Sequence, residues 1–189
     1  MAIDQGVSIG CPDINRKGGL RYVALISWSA LTGNTFVFSN TDHSCSSIGA
    51  SETLFLYEFK DETAKFDVSA TRENGQTIFE CKIDMYFPSW QGTTFQELEQ
   101  AKDECLVAIV EDTNGRNWIL GVSEAFENED VNYRNQTFGT LSAFEGSTGA
   151  AYTEENGISA TFYCRQYELP REYSGTYTVD SSALTVAVT

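Results

Sequence analysis

Apolar and polar positions alternate along most of the chain with the period of two that marks a half-buried strand. Leu20, Tyr22, Ala24, Ile26 and Trp28 fall on one face of a first expected strand. Thr32-Gly33-Asn34 turns it, and Thr35 to Ser39 returns. A polar loop from Asn40 to Glu52 leads to a strand over Thr53 to Phe59. The clearest signal is a long hairpin, in which Phe66 to Glu73 and Thr77 to Phe87 flank Asn74-Gly75. That dipeptide suits a tight turn whose two central residues both need positive φ. In the second arm Phe79, Cys81, Ile83, Met85 and Phe87 share one face, and Glu80, Lys82 and Asp84 the other. This part of the sheet is expected to have one wet side.

Pro88 ends the hairpin, and the period then changes. Thr94, followed by Glu97 three residues on, reads as a capping box that opens one short helix over about residues 94–105. Its apolar stripe is narrow: Phe95, Leu98, Lys102 and Cys105 or Leu106. Leu106 to Asp112 reads as a buried strand, Asn114-Gly115 as a second tight turn, and Trp118 to Val122 as the return. Ser123 to Gln136 is an acidic, Asn-rich loop. Further strands are expected at Thr137 to Phe144 and Ile158 to Tyr167, before Pro170 closes the core. The pattern gives an N-terminal arm over 1–19, one β domain over 20–170, and a C-terminal strand or extension over 171–189. The expected class is mainly β, a β-sandwich or open barrel with one packed helix.

Composition agrees with a single folded domain. The 189 residues are 41% hydrophobic and 13% aromatic, which excludes a disordered chain. The formal charge of −15 repels nucleic acid and anionic membrane at long range. It serves equally to keep the protein soluble. Residues 97–130 carry ten acids against Lys102 and Arg116, a net of −8. Cys11, Cys45, Cys81, Cys105 and Cys164 are odd in number and lack zinc-finger or CxxC spacing, so free thiols in a reducing cytoplasm are expected. Met1 to Gly10 has neither a basic start nor an apolar run, so no secretory leader is expected. No stretch approaches the roughly 20 apolar residues of a membrane-spanning helix.

Catalytic chemistry has little to work with. His43, the only histidine, sits in a polar Ser-rich loop, where a solvated side chain is expected rather than a triad member or a metal ligand. Asp61-Glu62, Glu111-Asp112 and Glu154-Glu155 flank turns, where acids aid solubility. No phosphate loop, GxGxxG or HExxH occurs. Trp28 and Trp118 lie in apolar strands and read as core, whereas Trp90 reads as exposed. Neither an enzyme nor a cofactor is expected.

The order of elements carries a resemblance. A hairpin with a wet face leads to a helix, the strand LVAIVED, the turn TNG and RNWILG; GTLSAFEGSTG, ENGISATFYCRQYELP and a terminal strand follow. With the opening GCPDINRKGGLRYVALISW, this plan resembles the major tail tube protein of long-tailed bacteriophages from Gly10 to Pro170. The resemblance implies a virion subunit, made in the host bacterial cytoplasm, that closes into hexameric rings stacked into a tail tube. Genome DNA would pass through without specific binding, and the other partners would be tail proteins and not a membrane. The hairpin face with Asp67, Glu73, Glu80 and Asp84 would line the lumen, although the same acids suit a solvated outer face. Ile3, Val7 and Ile9 would reach neighbouring subunits as an arm, and Val179, Leu184 and Val186 would form a C-terminal interface. Alternatives are another tail component of the same fold, such as a terminator or baseplate subunit, or a carbohydrate-binding β-sandwich.

Overall fold

The computed structural model describes residues 18–31, 36–49, 52–59, 63–88, 90–124, 137–150 and 156–188. Among the described residues the regular structure is two sheets, one α-helix and a 3-10 turn at Trp28–Leu31. The strands are β1 Leu20–Ser27, β2 Val37–Ser39, β3 Ser44–Ser47, β4 Glu52–Glu58, β5 Ala64–Glu73, β6 Gln76–Pro88, β7 Leu106–Asp112, β8 Asn117–Leu120, β9 Thr140–Ser147, β10 Gly157–Gln166, β11 Arg171–Tyr173, β12 Tyr177–Asp180 and β13 Thr185–Val188; helix α1 spans Gly92–Ala101. Nine strands form one sheet in the order β12-β13-β4-β1-β7-β8-β11-β3-β2, and four form the other in the order β5-β6-β10-β9. The fold is mainly β with one helix, as the periodicity predicts.

The central strands of the larger sheet, β1 and β7, are buried on both faces. On one side Val23, Leu25, Ala108, Val110 and Leu120 meet Cys81, Ile83, Met85, Ala160, Phe162 and Cys164 of the smaller sheet, closing a sandwich core. Leu98 of α1 seals that core. On the other side the sheet curls, so that Ala24, Ile26, Val107 and Ile109 meet Ile48, Leu54, Val186 and Val188. Burial on both faces explains the unbroken apolar runs of β1 and β7, since a strand with two dry sides has no place for alternating polar residues. Leu20 departs from the one-face reading of β1. Its partner is Asp112 while Tyr22 pairs Glu111, so one extra residue bulges between them. The bulge turns Leu20 into the sandwich core and leaves Tyr22 in the second one.

The long hairpin forms as expected, with Asn74 at φ 48° and Gly75 at φ 85°. The helix is displaced from its expected bounds. Gln91, in an extended conformation, caps it without a side-chain bond, so Thr94 lies within the first turn and no capping box forms. It stops at Ala101 because acids such as Asp103 and Glu104 oppose the negative end of a helix dipole. The Cys105 carbonyl instead accepts the Trp28 N–H at 2.6 Å, and the chain enters β7. The polar loop after Asn40 contains a strand, β3, that periodicity missed because serines surround its buried Cys45.

The C-terminal segment is part of the larger sheet rather than an extension. β11 pairs β8 and lies parallel to β3, while β12 and β13 make a hairpin on β4. This corrects the expectation for Val186, which is fully buried within its own chain. The apolar positions find their partner surface intramolecularly because the hairpin folds back onto Leu54. Val179 packs half-buried against the same core, and Leu184 stays exposed at φ 53° in the connecting turn.

Candidate functional site

The outer face of the smaller sheet gathers most of the sequence-predicted residues. Strict pairing along β5, β6 and β10 puts Asp67 opposite Lys82, Lys65 opposite Asp84, and Arg165 opposite Glu80. Asp67, Glu73, Glu80 and Asp84 therefore share one face, the side away from the core. They do not stand alone there. Lys65 reaches Asp67 at 2.7 Å and Asp84 at 3.5 Å, and Lys82 reaches Asp84 at 2.9 Å. Arg165 spans to Glu73 at 3.4 Å and to Glu80 at 3.5 Å. With Glu145 of β9, this face holds five acids against Lys65, Lys82 and Arg165, a net of −2. Arg165 was hidden from sequence reasoning because it arrives from β10, and Arg72 belongs to the opposite side of the pleat.

Asp84 is the centre of this arrangement. Burial raises its carboxyl pKa, yet hydrogen bonds from Lys82 and Thr161 and the charges of Lys82 and Lys65 outweigh that effect and hold it below its ordinary 3.8. The Thr161 hydroxyl donates to it at 2.9 Å. Around it lies an open groove of about 820 Å³. Gly18 and Gly19 form one wall, Ser142 and Glu145 the other, and Lys65, Lys82 and Thr161 line its base. Ammonium, carboxylate and hydroxyl groups converge in it, a chemistry suited to holding polar or charged surfaces rather than to activating a nucleophile.

Other expected residues fall elsewhere. His43 is exposed at φ 49°, and a ring nitrogen lies 3.0 Å from the Leu169 carbonyl. Trp28 is half-buried and stacks on Phe36 at 5.8 Å, and Trp118 packs half-buried against the sandwich core. Trp90 is 46% exposed, but its indole N–H donates to the Ser147 carbonyl at 3.0 Å and its ring meets Phe95. Cys45, Cys81, Cys105 and Cys164 are free thiols. Ile3, Val7, Ile9 and Cys11 lie outside the described residues. Among the described residues no group of three or more His, Cys, Asp or Glu is placed to hold a metal, and no helix is long and apolar enough to cross a membrane.

One polar node escaped the sequence reading. Arg171, only 5% exposed, donates to Glu124 at 2.6 Å, to Glu168 at 2.7 Å, to the Ser39 carbonyl at 3.0 Å and to Asn40 at 3.1 Å. Its guanidinium also covers the Phe38 ring at 5.1 Å. Burial acts to lower its pKa, and the two carboxylates more than offset this, so it stays charged. Three chain segments distant in sequence are tied by this one side chain.

Comparison with known proteins returns nothing: no family model, no curated protein and no solved structure matches this chain.

Proposed function

We propose that the chain is a structural subunit that assembles with copies of itself into stacked rings, a tail tube of the long-tailed bacteriophage kind through which genome DNA passes. One observation carries the reading. β5 is a ten-residue strand at an outer edge of the four-stranded sheet, with β6 its only strand neighbour among the described residues, and its residues from Asp67 to Glu73 are exposed. A long open edge is a template for another strand, and monomeric proteins blunt such edges. β9 is the other edge of the same sheet. Joining β5 of one copy to β9 of the next is a head-to-tail contact, which closes into a ring when the rotation allows. The net charge of −15 supports passage of DNA without adhesion.

The test is sedimentation and negative-stain microscopy of the purified protein across concentration and salt. Rings or tubes are expected at high concentration. Monomer under every condition would count decisively against the reading. Val68, 40% exposed on β5, supplies the paired variant: Val68→Lys places a charge at the edge strand and should leave a folded monomer.

A further inference from the structure

We propose that Cys81 and Cys164 form a latent cross-strand disulfide site joining the two central strands of the smaller sheet, closed by two-electron oxidation. The pairing register sets the two residues directly opposite each other on antiparallel β6 and β10. Opposed residues in such a pair have Cα atoms about 4.5–5.5 Å apart. A disulfide spans Cα separations of about 4.4–6.8 Å, so either kind of opposed pair lies within its range. Their Cβ atoms start about 4.5–5.5 Å apart and must end at about 3.5–4.5 Å, a closure of roughly 1 Å. Both side chains lie in the same sandwich core, where the Cys164 thiol donates to the Gln166 side-chain oxygen at 3.8 Å. Among the described cysteines, these two alone are matched in a strand register; Cys45 sits in the other core and Cys105 in the link before β7.

The surroundings make the site latent rather than reactive. Cys81 is 0% and Cys164 1% exposed. Hydrogen bonding to Cys81 and burial push the Cys164 thiol well above its ordinary value, and the thiolate is the attacking species. Oxidation therefore proceeds through local opening of β10 against β6. The oxidant is a low-molecular-weight disulfide. One thiolate attacks it, forming a mixed disulfide and releasing one small thiol. The partner thiolate then attacks the cysteine sulfur of the mixed disulfide and releases the second. Two cysteine thiols are oxidised, one small disulfide is reduced to two thiols, and the two protons leave with them. The product links residues far apart in sequence, the kind of loop for which a crosslink constrains the unfolded chain most.

The experiment treats the full-length protein with oxidised glutathione a few degrees below its unfolding temperature, traps remaining thiols by alkylation, and maps peptides by non-reducing mass spectrometry. A parallel sample without oxidant records which thiols take up the alkylating reagent. The expected product is a Cys81–Cys164 linked peptide, with Cys45 and Cys105 alkylated. Its thermal midpoint should rise by roughly 5–10 °C and return on reduction. The Cys164→Ala variant, close in volume to the native residue, should show no oxidant-dependent rise, and Cys105→Ala should behave as wild type. Linkage of either residue to Cys11, Cys45 or Cys105 instead would overturn the proposal. So would an unlinked pair in samples where both thiols accept the alkylating reagent. Protection from both reagents up to the unfolding temperature would overturn it too, because the site would never open within the fold.

Discussion

Gly139 and Gly121 converge where the chain leaving the larger sheet approaches the smaller one. Gly139 and Leu106 exchange two backbone hydrogen bonds, each of 2.8 Å. A Cβ on Gly139 would lie 1.9 Å from the ring of Phe162, a residue with no exposed surface. Gly121 sits at φ +87°, and a Cβ there would lie 2.9 Å from the Leu106 carbonyl oxygen. Glycine is required at both places, at the first by contact and at the second also by conformation. Gly139→Ala must displace Phe162 from a packed core, and overpacking of this kind costs about 3 kcal/mol. Gly18→Ala, with nothing within 4 Å of the added carbon, should stay within about 0.5 kcal/mol. Chemical denaturation of the two variants measures the difference. A Gly139→Ala midpoint equal to wild type would mean that Phe162 has room to move.

The tyrosines give a second residue-scale expectation. Burial, aided by Glu97, pushes the Tyr57 hydroxyl up to about 12, and burial, aided by Cys45, does the same to Tyr173. Unfolded tyrosine titrates near 10.0. The folded groups thus hold their protons after the unfolded chain has lost them, so the folded state binds more protons and stability falls as pH rises. Their contribution is fully present below pH 10 and is lost between about 10 and 12. Ultraviolet titration should show these phenols ionising late, and denaturation midpoints should fall over the same window. Titration of all nine tyrosines in one step near 10, with the fold intact, would contradict it.

At the scale of elements, Arg171 decides how the loops between strands are held. Its guanidinium joins the start of β11 to Glu124 after β8 and to Ser39 and Asn40 at the end of β2. Arg171→Ala would strand Glu124 and Glu168, 31% and 19% exposed, without their cation. Removing one partner from a buried ion pair costs about 3–5 kcal/mol, and partial exposure here favours the lower figure. Arg171→Lys should lose part of that, because an ammonium cannot reproduce the guanidinium fork. A loss under about 1 kcal/mol for the alanine variant in urea unfolding would show that the loops hold without it. Elements of this kind set the limit of what the sequence discloses. The β5–β6 hairpin was legible because an Asn-Gly turn and a period of two both act within a short window. Strand β3 was not, because its one buried apolar side chain is a cysteine among serines, and it is held by the distant β11. Arg171 looked like any charged residue after a proline, since apart from Glu168 its partners come from two distant segments. The four acids were placed on one face correctly by periodicity, while their neutralisation by Arg165 required the β6–β10 register.

At the scale of the whole molecule, charge is unevenly spread. The chain carries −15, yet the outer face of the four-stranded sheet carries only −2 through Lys65, Lys82 and Arg165. If that face lines a tube, DNA meets a nearly neutral, hydrogen-bonded wall, and small changes should make it adhesive. Asp67→Lys with Glu73→Lys moves the face from −2 to +2. Lys65 keeps Asp84 and Arg165 keeps Glu80, so the fold should lose no more than about 0.5 kcal/mol per exposed site. Assembled variant tubes should bind short DNA duplexes and shield them from nuclease, whereas wild-type tubes should not. Binding to lysine releases counterions, so the shielding should fade as salt rises, with a slope in log–log form of about 0.9 for each phosphate contacted. Adding Val68→Lys, which keeps the protein monomeric, should preserve salt-sensitive binding but abolish the shielding, because an open face cannot enclose a duplex. Variant tubes that bind DNA and leave it open to nuclease would place this face on the outside of the assembly.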